Sequence, residues 1–222
     1  MIGEKGERSQ SEIEGVASLL LRLRRDGIAD TNLLTAVEQT PRSRFVPTEH
    51  ADVAYSARLV PIECGGFMEG ADLMVQLVSA LDLEKGQRVL EIGTGSGFAT
   101  AIMARLVDRV VTVERYRTLL ALAQKRLEYF ALKNVAFRHA DGSQGVPGEG
   151  TFDRIFVAGA FESVPRNFVD HLAPNGMMLA GIRKEDGRVH LSRLTRIGNR
   201  FERTDGAELP YLPLIRGIAA RI

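Results

Sequence analysis

Cysteine is nearly absent from this chain of 222 residues: Cys64 stands alone, which excludes an internal disulfide and a multi-cysteine metal site. No run of apolar residues is long enough to span a bilayer. The longest stretch without a charged residue, residues 92–104, is too short and too rich in glycine. The first ten residues are polar and charged, with no apolar core of the kind a secretory leader carries. An excess of charge of one sign is missing as well. Lys and Arg number 29 against 28 Asp and Glu, so the chain has no general attraction for nucleic acid or an anionic membrane. The four histidines, His50, His139, His171 and His190, are widely spaced and form no HExxH-like pair, which argues against a metal site. There is no internal repeat, low-complexity tract or linker that would split the chain. These absences lead to the expectation of a cytoplasmic protein without metal, membrane or nucleic-acid partners.

What is present is an ordinary globular balance, 45% hydrophobic and 26% charged. Ile13, Val16, Leu20 and Leu23 recur at helical spacing and predict an amphipathic helix over residues 11–26. Ser11 with Glu14 is the expected capping box and Gly27 the stop. A second short helix is expected over residues 32–38, ended by Pro41. Residues 41–66, with Pro41, Pro47, Pro61 and Gly65-Gly66, read as irregular. Met74, Leu77, Val78 and Leu81 mark a further helix.

From residue 87 short β-rich runs alternate with helical ones. Strands are expected at 88–92, 109–113, 135–138, 152–157 and 176–182. Helices are expected at 98–106 and around Leu120, Ala123, Leu127 and Phe130. Such alternation predicts an α/β fold, a doubly wound, mostly parallel sheet with helices on both faces. Two antiparallel strands, 188–197 and 200–204, are expected to close the chain around Gly198-Asn199.

The strongest motif is Glu91-Ile-Gly93-Thr94-Gly95-Ser-Gly97, placed after the first of these strands and opening a helix. Glycines let the backbone turn sharply and approach a ligand, and the helix N-terminus offers free N–H groups. A dinucleotide fingerprint would put its third glycine at 98, where Phe stands; a glycine-rich turn without ligand is the plainer alternative. The pattern E-x-G-x-G-x-G instead resembles the first motif of class I S-adenosylmethionine-dependent methyltransferases, which implies a Rossmann-like methyltransferase sheet and S-adenosyl-L-methionine as cofactor. Glu91 would then face the methionine end. Glu114 closes the next strand, 21 residues after Gly93, where a carboxylate can accept from both ribose hydroxyls. Arg115 follows it. Asp141-Gly142 ends the third strand, beside the adenine in that fold; as a bare sequence it is also an ordinary turn.

The resemblance extends over residues 30–216 to the protein-L-isoaspartate O-methyltransferase family. It is carried by Leu34-Thr-Ala-Val, Pro41-Arg-Ser-Arg-Phe-Val-Pro47, Ala54-Tyr55, Pro61-Ile62, Arg88-Val-Leu-Glu-Ile-Gly-Thr-Gly-Ser-Gly97, Val111-Thr-Val-Glu-Arg115, Asp141-Gly142, Phe152-Asp153, Val164-Pro165 and Leu212-Pro-Leu214. It implies one methyltransferase domain over 1–222, with a helical and acceptor-loop region at 1–86 and a cofactor core with terminal strands at 87–222. It also implies methyl transfer to an isoaspartyl carboxylate in a protein or peptide, as a repair reaction.

One segment departs from the family. Where its members carry Gly-Gln-Thr-Ile-Ser-Gln-Pro, this chain has Gly65-Gly-Phe67-Met-Glu69-Gly-Ala71. In the family that Thr and Ser line the meeting place of donor and acceptor. An acidic residue usual after the Ala-Tyr pair is Ala57 here, and a Thr-Ala-Ala run is Ala158-Gly159-Ala160. Phe67, Glu69, Ala158 and Gly159 are thus the candidate acceptor pocket, and Glu69, at the Ser position, is the candidate catalytic residue. A Glu aimed into the site would oppose a carboxylate acceptor, by roughly 4 kcal/mol for two charges about 4 Å apart at an effective dielectric near 20. Three outcomes stay open: an outward Glu69 with ordinary isoaspartyl activity, a role for Glu69 toward another small acceptor, or cofactor binding without isoaspartyl activity.

Overall fold

The structure, a computed structural model, describes residues 9–219. Helix α1 (Gln10–Arg25) is capped by Ser9, whose hydroxyl accepts the Glu12 N–H. The expected Ser11–Glu14 capping box is therefore corrected by two residues: the chain turns earlier, and Gln10 and Ser11 are already helical. Val16, Leu19 and Leu23 form its buried stripe, while Ile13 is exposed. Asp30 caps α2 (Thr31–Glu38) by accepting the N–H groups of Asn32 and Leu33. The segment read as irregular holds short 3-10 turns at Arg42–Arg44 and Thr48–Val53, and a small hairpin of β1 (Val60–Pro61) with β2 (Phe67–Met68). Helix α3 (Ala71–Ala80) follows. A bidentate pair from Arg22 to Asp72, with Arg22 also donating to the Tyr55 carbonyl, ties α1 to α3 and to the chain beside the hairpin.

The core sheet is built from β3 (Arg88–Ile92), β4 (Arg109–Glu114), β5 (Val135–His139), β6 (Phe152–Phe161), β7 (Leu172–Arg183), β8 (Val189–Ile197) and β9 (Arg200–Glu208), in the order β5-β4-β3-β6-β7-β8-β9. The first five strands are parallel and the last two antiparallel. Helices α4 (Phe98–Leu106) and α5 (Arg117–Tyr129) connect β3 to β4 to β5. The chain then returns to lay β6 on the other side of β3, and α6 (Phe168–His171) leads into β7. This reversal of strand order makes the sheet doubly wound.

Alternation along the strands fills two cores. Val89, Val110, Phe156 and Leu179 pack against the helices of one face. Leu90, Val111, Ile155 and Met178 face the opposite side, with Phe161 and Phe168. Phe45, fully buried, sets its ring 5.5 Å from Phe98 and 5.8 Å from Phe130, fixing residues 41–47 to α4. Among the described residues no helix is long and apolar enough to cross a membrane.

Candidate active site

At the carboxyl ends of β3, β4, β5 and β6 lies a cavity of about 260 Å³, the position where open α/β sheets bind ligands. Its floor is the glycine loop. Gly93, Gly95 and Gly97 have φ of +92°, +52° and +87°, a region costly for residues with a Cβ. Gly97 also caps α4, and a Cβ there would stand 2.9 Å from the Ala123 methyl and 3.0 Å from Leu127. The loop is thus shaped by left-handed turns and by close packing on α5.

Two carboxylates flank it. Glu91 is 1% exposed. Its Oε2 accepts the hydroxyls of Thr100 at 2.5 Å and Thr112 at 2.6 Å, and its Oε1 has no partner among the described residues. Burial pushes its pKa up to about 8, against the opposing pull of those hydroxyls and with added repulsion from Glu114 and Glu69. Thr94 directs its hydroxyl to Thr112 at 2.6 Å, so its side chain buttresses Glu91. Glu114 accepts the Gly95 N–H on one oxygen and the Tyr116 N–H on the other, both at 3.0 Å. Each oxygen keeps a lone pair for a further donor.

At one end of the cavity Asp141 accepts the Ser143 N–H at 2.8 Å and the Gly217 N–H at 2.6 Å. Gly142 packs so closely on Ile92 that a Cβ would fall 2.6 Å from it. Arg115 donates from Nε to the Gly217 carbonyl, and the Arg115 carbonyl accepts the Ala219 N–H. The C-terminal segment thus crosses the site as a strap, anchored further along where Ala160 exchanges bonds with Leu212 and Leu214.

The departing loop forms the other end. Phe67 and Met68 line the cavity from β2, and Ala158 and Gly159 from β6. Gly159 meets the strap so tightly that a Cβ would lie 2.6 Å from Leu214. Glu69 points inward: it is 6% exposed and lines the cavity. Burial raises its pKa, more than Arg42 and its backbone contact lower it. Tyr211, buried beside it, has a hydroxyl without a well-aligned partner among the described residues, and burial with the nearby Glu69 charge raises the phenol's pKa strongly.

The residues expected from sequence line one cavity, except Gly97, which lies behind the loop against Ala123 and Leu127. Two buried polar side chains at the acceptor end were among those missed. Arg42 is 1% exposed and donates from Nη2 to the Glu69 carbonyl, and Tyr211 lies under the strap. A signal existed for Arg42, an arginine held between two prolines in a segment that ends on apolar Phe45-Val46; Tyr211 carried none.

A doubly wound sheet with a glycine loop after β3, an acid ending β4 and an Asp after β5 defines the class of S-adenosylmethionine-dependent methyltransferases. The buried, unpartnered oxygen of Glu91 and the glycine cradle fit that cofactor's ammonium and adenosyl parts. The chain belongs to the protein-L-isoaspartate(D-aspartate) O-methyltransferase family (PCMT), whose model matches residues 14–219. It is 52% identical over 202 residues, 91% of this chain and 99% of the relative, to the protein-L-isoaspartate O-methyltransferase of Rhizobium meliloti (strain 1021). It is 38% identical to that of Parvibaculum lavamentivorans, over 96% of this chain and 95% of the relative. The fold matches a Plasmodium falciparum structure described as a beta-aspartate methyltransferase in complex with S-adenosyl-L-homocysteine. The TM-score is 0.79 at 22% identity, covering 95% of this chain and all of that one.

Proposed function

We propose that this chain methylates the carboxylate of isoaspartyl residues in cytoplasmic proteins and peptides. The observation that carries this reading is the character of the acceptor end. Glu69 points into it, where burial raises the pKa of its carboxyl and Arg42 donates to its backbone carbonyl. The raised pKa lessens the repulsion a Glu would impose on a carboxylate acceptor. The bound cofactor supplies an electrophilic methyl group on a sulfonium. A carboxylate acceptor is ionised at neutral pH and needs no general base, so the protein's task is alignment and charge complementarity.

In this reading Glu91 holds the ammonium at Oε1, Glu114 accepts from the ribose hydroxyls and Asp141 from the adenine amine. Backbone groups of Gly93, Thr94 and Gly95 cradle the ligand, Gly97 shapes the turn behind them, and Arg115 with Gly142 closes the adenine end. Phe67, Ala158 and Gly159 shape the space where acceptor meets methyl.

A second reading, methylation of another small acceptor, is favoured only by the inward, buried Glu69. Incubation with an isoaspartyl peptide and labelled methyl donor separates the two. Label in a base-labile ester supports the first reading. Cofactor binding without incorporation, together with incorporation after Phe67→Thr and Glu69→Ser are combined, supports the second.

A further inference from the structure

We infer that Arg42 is the carboxylate anchor of this cavity, a binding residue that engages an anionic group of the reactants. Arg42 lines the cavity, and its Nη2 donates to the Glu69 carbonyl while its Nε and Nη1 have no partner among the described residues. Its Cζ lies 4.8 Å from the centre of the Phe98 ring, which offsets part of the loss of hydration. No carboxylate oxygen of the described residues comes within 4.0 Å of the guanidinium in an ion pair, although other arginines of the chain make such pairs.

Arg42 is therefore a charged side chain, almost fully buried, with no carboxylate in contact, the Glu69 charge acting on it only from beyond ion-pair distance, and with two donors idle. Buried charges are ordinarily paired, and leaving donors unmet is costly. A ligand carboxylate entering the cavity supplies both the missing charge and the missing acceptor, through the charge-assisted bonds at which arginine excels. The neighbouring groups do not replace it. Glu69 offers Arg42 its backbone carbonyl, and the Tyr211 hydroxyl has no aligned partner among the described residues.

Two carboxylates enter this space during the reaction proposed above: that of the cofactor's methionine end and that of the acceptor. Both present the same chemistry to the guanidinium, and the second rests on the isoaspartyl reading. Arg42→Gln and Arg42→Lys distinguish them. Calorimetry compares S-adenosylhomocysteine with methylthioadenosine, which lacks the amino-acid carboxylate, and methylation kinetics with an isoaspartyl peptide give KM and kcat.

Loss of a charge-assisted bond predicts a weakening of roughly tenfold or more for Arg42→Gln, partly restored by Lys. Weaker S-adenosylhomocysteine with unchanged methylthioadenosine assigns the cofactor's carboxylate. A raised peptide KM with unchanged S-adenosylhomocysteine affinity assigns the acceptor's. The inference is overturned if both ligands and the peptide behave as with the wild type, or if both nucleosides weaken equally, which marks a purely structural role. Should Arg42→Gln not fold, the wild type decides: binding its ligands no better than the same ligands with the carboxylate converted to an amide overturns the inference. A wild type that does not methylate the peptide defeats the isoaspartyl reading alone, and the nucleoside comparison then decides for Arg42.

Discussion

Cofactor binding should expel a proton from Glu91, and the size of the effect follows from where that carboxyl sits. Its pKa stands at about 8 because burial outweighs the two threonine hydroxyls on one oxygen, and the other oxygen has no partner among the described residues. At pH 7 it is therefore about nine-tenths protonated before the ligand arrives. An ammonium placed against Oε1 is an opposite charge in contact and favours the ionised form. Affinity for S-adenosylhomocysteine then rises about tenfold per pH unit below about 8 and levels off above it. Between pH 6 and 8, where the carboxyl is still half protonated, that amounts to roughly fiftyfold, about 2.3 kcal/mol. Calorimetry in buffers of different ionisation enthalpy should count close to one proton released at pH 7. Glu91→Gln removes the titration and should flatten the profile. The free protein shows the opposite sign: a carboxyl with a raised folded pKa binds its proton more tightly when folded. Its stability therefore falls as pH rises from the ordinary 4.5 toward about 8, by at most about 5 kcal/mol. A pH-independent affinity in the wild type, or the same slope in Glu91→Gln, would refute the reasoning.

Three further outcomes are expected. Glu114→Gln puts an amide N–H₂ against backbone donors from Gly95 or Tyr116 and removes the ribose acceptor, so equilibrium binding should show a dissociation constant roughly tenfold higher or more. Gly97→Ala must hold a Cβ at φ +87° and 2.9 Å from Ala123, and urea unfolding should report a loss of about 1–3 kcal/mol or more. Phe45→Ala empties a fully buried ring site between Phe98 and Phe130 and should cost about 3–5 kcal/mol by the same assay.

The parallel strands were legible because both faces of the sheet are covered, so each strand reads as a short apolar run bounded by turns. Their ends were less so. The strand expected at 152–157 continues to Phe161, because Ala160 pairs with the distant Leu212–Leu214 strap as well as with β7. The strand expected from 176 begins at Leu172, running through Pro174 and Asn175, residues that argue locally for a turn. The last strand reaches Glu208 where 204 was expected, held by pairing to His190 rather than by its own mostly polar sequence. Phe168–His171 is too short to show helical periodicity. Within the site, the glycine loop and Glu114 could be read because they are local and regularly spaced. The direction of Glu69 and the burial of Arg42 depend on contacts between residues 27 apart and on α4, which no local pattern encodes. Asp141 was legible as a residue but not in its bond to Gly217, 76 residues away.

The most direct measurement pairs two peptides of one composition, one with an isoaspartyl linkage and one with the ordinary aspartyl linkage, each incubated with the protein and labelled S-adenosylmethionine. The account predicts base-labile label on the isoaspartyl peptide alone, with S-adenosylhomocysteine formed in equal amount. Label on neither peptide from folded, cofactor-binding protein would contradict it.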